Sequence, residues 1–211
     1  MQLKNIHLYI VMILSMISWG LSWPGAKIVG QYANPQDIIV WRFIFALLSM
    51  LLVMKIFKIP LTFPAKSLKF VVSASMLIVI YNFNYFKGTQ VGLSGLGGVI
   101  VPTLSPLLTF IFSMIFLQKV PHIKEMVGLG IGIIGGVLLI RIWEMNLEMI
   151  IASGNIYFLL GAAAWAGVTI FTQKASFELH PINFSFWVYG IAMLLALPIF
   201  PMNSLTLIFS L

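Results

Sequence analysis

The chain has 211 residues, of which 61% are hydrophobic and 8% charged, with a formal net charge of +7 and a mean hydropathy of +1.06. A soluble domain carries about 25% charged residues, so there is too little polar surface here to clothe a water-facing fold. The basic residues fall in short gaps between apolar runs rather than on one face, which is a membrane-topology pattern and leaves no surface for nucleic acid. Cysteine is absent, so disulfide and thiol chemistry are excluded.

A membrane-crossing helix needs about 20 mostly apolar residues. Seven stretches qualify, roughly 7–30, 36–57, 68–86, 91–118, 122–141, 153–174 and 181–201, which gives an all-α polytopic bundle. The first is too long for a signal-peptide core and contains Trp19, Trp23 and Pro24, so it reads as a retained helix. Asn34-Pro35 and an Asp37 cap open the second, and Pro60 and Pro64 flank a basic loop before the third. Lys87-Gly88-Thr89 reads as a tight link to the fourth, in which Pro102 and Pro106 remove backbone hydrogen bonds and bend the axis. Pro121 and Pro181 open the fifth and seventh helices, where a missing N–H costs nothing. Gly128, Gly132 and Gly136 form a smooth stripe on the fifth for close packing. No strand precedes these glycines and no Walker lysine follows them, so a nucleotide loop is excluded, and no cofactor is expected.

With the N-terminus inside, the inner set holds Lys4, Lys55, Lys58, Lys66, Lys69, Lys119, Lys124 and Lys174, most of the 12 basic residues. That bias predicts a cytoplasmic N-terminus. The chain also aligns with itself at a fixed offset: Trp19 falls on Trp165, Pro35 on Pro181 and Trp41 on Trp187. Tryptophan occurs only 6 times, so two coincident pairs with a helix-opening proline point to a repeat. One repeat holds five helices, an odd number, so the second copy starts from the opposite side as an inverted repeat. The division is a first repeat over 1–143 and the start of a second over 147–211, and completing it would bring the chain to about 290 residues.

Here the residues resemble the EamA-like branch of the drug/metabolite transporter superfamily. The likeness runs through Trp19-Gly20-Leu21-Ser22, Trp41-Arg42-Phe43 and Tyr81-Asn82-Phe83-Asn84-Tyr85-Phe86. It continues through Pro102-Thr103-Leu104-Ser105-Pro106-Leu107 and the glycine-rich 128–139 helix, and restarts at Gly154-Asn155 and Trp165. The resemblance implies ten helices in two five-helix repeats and ATP-independent export of amino acids, metabolites or drugs across a bacterial cytoplasmic membrane. One departure is visible: similar proteins carry a glutamate before the fourth-to-fifth helix loop, where this chain has Lys119 after Gln118.

The expected function is therefore a secondary transporter of small organic solutes, exporting by alternating access. Its alternatives are a non-transporting membrane scaffold and, less favoured, a membrane-embedded enzyme. The expected partners are a small-molecule substrate and the lipid bilayer, and homo-oligomer formation is left open. The candidate substrate-binding residues are Trp19, Arg42, Tyr81, Asn82, Asn84, Tyr85 and Trp165. Trp19 and Trp165 are repeat-related and lie mid-helix, away from the interfacial belt. They fit either a cavity wall or interhelical packing. Arg42 is ionisable within a span, which suits a cavity or a side chain snorkelling to headgroups. Lys27 and Lys87 favour snorkelling; any of the three in a cavity would attract an anionic group. Tyr81, Asn82, Asn84 and Tyr85 form a polar–aromatic group whose amides need partners. Trp41 and Trp187 read as belt anchors near outer helix ends. No acid lies mid-membrane: Asp37, Glu125, Glu144, Glu148 and Glu178 sit in or beside loops. His7, His122 and His180 are scattered, which speaks against an internal metal site and against an enzyme.

Overall fold

A computed structural model describes residues 3–118, 120, 122–144, 146 and 154–199. Seven helices in it are long and apolar enough to cross a membrane, and no strand occurs among the described residues. They are α1 (Leu3–Val29), α2 (Pro35–Ile56), α3 (Leu68–Val91), α4 (Ser94–Leu117) and α5 (Ile123–Ile140), followed by α6 (Asn155–Ala175) and α7 (Pro181–Ile199). A short 3₁₀ turn, Ile142–Glu144, follows α5. The proposed repeat start at 147, Pro121 and Lys119 lie outside the described residues.

Two helix boundaries differ from the sequence expectation. Lys87-Gly88-Thr89 is not a link but the last full turn of α3, which ends at Val91 with Gly92 as its cap. Gly88 is there because α6 comes close: a Cβ at that position would meet Phe158 Cε1 at 2.6 Å. Asp37 does not cap α2. The capping position is Asn34, which makes no side-chain cap bond, and Asp37 sits within the first turn with 4% exposure. Pro35 occupies the first helical position, where its missing N–H is harmless.

The helices pack around α3 and α6, which form the most extensive pair; α6 also packs on α4, and α7 on α2 and α3. Half of the apolar span of α3 is buried, whereas α1 and α5 are almost wholly exposed, so they border the bundle. Hydrogen bonds fix which ends meet. At one end, called upper here, Lys27 Nζ donates to the carbonyls of Gln90 at 3.0 Å and Gly92 at 2.9 Å. Gln90 Nε2 donates to the Gly30 carbonyl at 3.1 Å. Gly154, in a left-handed conformation at φ 70°, packs there too, its missing Cβ 3.2 Å from Gly92 Cα. At the lower end Asn183 Nδ2 donates to the Pro60 carbonyl at 3.0 Å, and Trp187 Nε1 to the Thr62 carbonyl at 2.8 Å. Ser67 Oγ donates to Glu178 Oε2 at 2.8 Å.

It follows that α1 ends where α6 begins and α2 ends where α7 begins, so each matched pair of helices runs antiparallel. Trp41 and Trp187 therefore lie at opposite ends of the bundle, and both cannot be anchors on the outer side. Trp187 ties α7 to the 57–67 loop through its N–H instead.

Candidate functional site

A cavity of about 1190 Å³ opens among α1, α4, α5 and α6. Its wall includes Val120, His122 and Glu125 at the α4–α5 turn and Gln173 near the end of α6, so it reaches the lower end of the bundle. It extends to Trp19, Pro102, Gly132 and Trp165, all near the middle of their helices. Helical periodicity supplies the polar lining: Ser105, Thr109 and Ser113 descend one face of α4, and Trp165, Thr169 and Gln173 follow every fourth residue on α6. The hydroxyls of Thr169 and Ser105 differ in state. Thr169 Oγ1 donates to its own helix at Trp165 O, 3.0 Å away. Ser105 Oγ is buried without a partner among the described residues.

Pro102 and Pro106 both line the cavity. α4 continues through them, but neither can donate to the residue four positions earlier, so the carbonyls of Gly98 and Pro102 lose their helical partners. The glycine stripe of α5 divides. Gly136 packs against α4, where a Cβ would meet Thr103 Cγ2 at 2.5 Å, whereas Gly128 and Gly132 have nothing within 4 Å of theirs and leave room in the cavity wall.

Above the cavity the helices close on aromatic rings. Trp23 and Phe158 are 3% and 0% exposed, with centroids 5.9 Å apart. Trp23 meets Tyr85 edge-on at 4.6 Å. These rings fit because α4 offers no side chains: a Cβ on Gly97 would lie 2.5 Å from Phe158 Cε1 and 2.6 Å from Trp23 Cζ3. The Tyr85 hydroxyl donates to the Ser22 carbonyl at 2.8 Å, binding α3 to α1.

The seven sequence candidates separate. Trp19 and Trp165 both line the cavity. Tyr81 stands behind Trp165, its ring 4.8 Å away and stacked on Tyr85 at 5.9 Å. Arg42 lies over Tyr85 and Phe86, with Cζ 5.3 Å and 5.6 Å from their centroids. It thus braces the aromatic layer without lining the cavity. Asn82 is 1% exposed; its Nδ2 donates to the Ile78 carbonyl at 2.7 Å, and its Oδ1 has no partner among the described residues. Asn84 donates likewise to Ile80, at 2.8 Å, and lines a separate cleft between α3, α4 and α6. Residues 81 and 85 are one turn apart and share a face, whereas 82 and 84 diverge from it by about 100° each way.

Lys27 neither lines the cavity nor extends to headgroups; it binds the last carbonyls of α3. Among the described residues, the ionisable ones of the cavity wall are His122 and Glu125, both at the lower end, where the His122 main-chain N–H donates to Glu125 Oε2 at 3.1 Å. Among the described residues, no lysine or arginine that would favour an anionic solute lines that wall. Sequence reasoning overlooked Trp23, which closes the cavity, and the hydroxyl stripe of α4, whose spacing was readable. No group of three His, Cys, Asp or Glu residues that could hold a metal ion occurs among the described residues.

The cavity is an indole-walled, hydroxyl-lined recess, and comparison with known proteins gives the family of the chain. The model of the EamA-like transporter family matches residues 7–141. "Uncharacterized transporter YyaM" of Bacillus subtilis (strain 168) is 29% identical over 172 residues, covering 78% of this chain and 55% of that protein. The chain thus spans about half the length of this curated relative. No solved structure gives a significant match. The family match takes in α1 to α5 and the seven apolar helices make the protein an integral, multi-pass one; the chain belongs to the EamA-like transporter family.

Proposed function

We propose that the protein is a secondary transporter that exports a small organic solute, such as an amino acid or metabolite, by alternating access. The observation that carries this reading is the cavity, reaching the lower end of the bundle, whose wall includes both of the repeat-related Trp19 and Trp165. With a cytoplasmic N-terminus the lower end is the inner one. The cavity then opens to the cytoplasm, and the Trp23–Phe158–Tyr85 layer closes the outer side. Alternating access would exchange the two. Trp19 and Trp165 contact the solute, Tyr81 and Tyr85 support Trp165 from behind, and Arg42 holds Tyr85. Asn82 and Asn84, pointing elsewhere, serve helix packing. The antiparallel runs of α1 against α6 and of α2 against α7 support an inverted repeat begun by α6.

The test is transport by the full-length protein in sealed inside-out vesicles, with a panel of amino acids and metabolites. The transporter reading expects saturable uptake of at least one solute, lowered by Trp165→Ala at unchanged membrane insertion. A scaffold would move none of the panel.

A further inference from the structure

The cleft that holds Asn84 is a second recess, of about 450 Å³, between α3, α4 and α6. Apart from Asn84 and Lys174 its wall is apolar, formed by residues such as Leu77, Phe112, Phe116 and Phe171. The Asn84 amide N–H is already given to Ile80. It is open to the surroundings along its length, since Ile80, Phe116 and Leu160 on its rim are 47%, 60% and 50% exposed. In a bilayer, a helix face that no other helix covers meets acyl chains. From Leu160 to Lys174 the cleft follows α6 for about 21 Å, enough for a lipid tail in a leaflet about 15 Å deep.

The charge lies at one end only. Lys174 closes the lower end of the cleft. Lys69 connects to the cleft wall through ring contacts: its Nζ is 5.0 Å from the Phe70 centroid, and Phe70 stacks on Phe171 of that wall at 6.4 Å. Neither lysine has an ion pair among the described residues, where the single salt bridge joins Arg141 and Glu144. The nearby acid Glu178 accepts from Ser67. Two ammonium groups with no ion pair among the described residues, at the headgroup end of an apolar slot, match an anionic phospholipid.

We propose that this cleft is a binding site for an anionic phospholipid, with one acyl tail along α6 between Phe116 and Leu160 and the phosphate at Lys69 and Lys174. The site is independent of the transport reading. It would couple the α3–α6 pair, the centre of the bundle, to membrane composition.

The experiment is thermal unfolding of the purified full-length protein in mild detergent with added phosphatidylglycerol, phosphatidylcholine or soluble glycerol 3-phosphate. Phosphatidylglycerol should raise Tm about 2–4 °C above the phosphatidylcholine value, and glycerol 3-phosphate should give no rise. The double variant Lys69→Gln/Lys174→Gln should lose that difference and Lys69→Arg/Lys174→Arg should keep it. Ala163→Phe, which fills the cleft, should abolish it. Equal shifts with the two lipids, a phosphatidylglycerol effect that survives the double Gln variant, or glycerol 3-phosphate matching the lipid would overturn the proposal. Should Ala163→Phe fail to fold, the charge variants still decide the matter.

Discussion

Phe158 occupies the space that a side chain on Gly97 would need: a Cβ there would sit 2.5 Å from the ring's Cε1. Phe158 is completely buried and meets Trp23, so the ring has nowhere to move. Gly97→Ala should therefore destabilise the protein by about 1–3 kcal/mol, the usual cost of overpacking. Gly95, two residues away in the same helix, has nothing within 4 Å of its missing Cβ. There Ala should be neutral or stabilising by about 0.5–1 kcal/mol, because glycine is the poorer helix former. Thermal unfolding of both variants checks the opposite signs.

Lys27 is a second joint of the upper end. It holds two carbonyls that terminate α3, one from Gln90 and one from Gly92. Hydrogen bonds to a charged donor contribute about 1.5–3 kcal/mol when shielded, and Lys27 is half-buried, so Lys27→Met should cost about 1 kcal/mol. The exposed Lys55 gives the comparison: Lys55→Met should stay within about 0.5 kcal/mol of the wild type. Chemical denaturation in detergent measures both.

Arg42 separates a positioning role from a binding one. Its guanidinium rests on Tyr85 and Phe86, an interaction that contributes about 0.5–2 kcal/mol. Arg42→Gln should lower stability by that amount, and Arg42→Lys should recover part of it, since an ammonium keeps the charge but cannot stack as a plane. Uptake assays on the folded fraction distinguish the roles: KM unchanged with lower kcat fits a brace behind Trp165, whereas a raised KM at full stability would make Arg42 a solute contact.

The number, order and type of the elements were readable because an apolar run of about 20 residues has one stable solution in lipid. The boundary errors have local causes. Glycine marks both turns and close helix contacts, and nothing local distinguishes Gly88, which receives Phe158, from a turn residue. Asp37 looked like a cap because a cap and a first-turn acid differ only by a small shift in register. Within the site, Trp19 and Trp165 stood out by rarity and by their shared offset. Trp23 did not, because its role depends on the glycines at 97 and 98 of another helix. The 81–85 segment was read as one group by proximity in sequence, although its periodicity already separated 82 and 84 from the Tyr81–Tyr85 face. The alternation of 105, 109 and 113 with 165, 169 and 173 was equally available and fell on the cavity.

The central claim is that the cavity beside Trp165 is the solute path, and one introduced cysteine, scored against the unsubstituted protein, measures it directly. Thr169, one turn below Trp165 on the cavity wall, is replaced by cysteine in the full-length protein. A membrane-impermeant thiol reagent is then applied to inside-out and right-side-out vesicles, with and without a transported solute. The account predicts labelling from the cytoplasmic side that saturating solute slows several-fold. A labelling rate indifferent to the solute would contradict it.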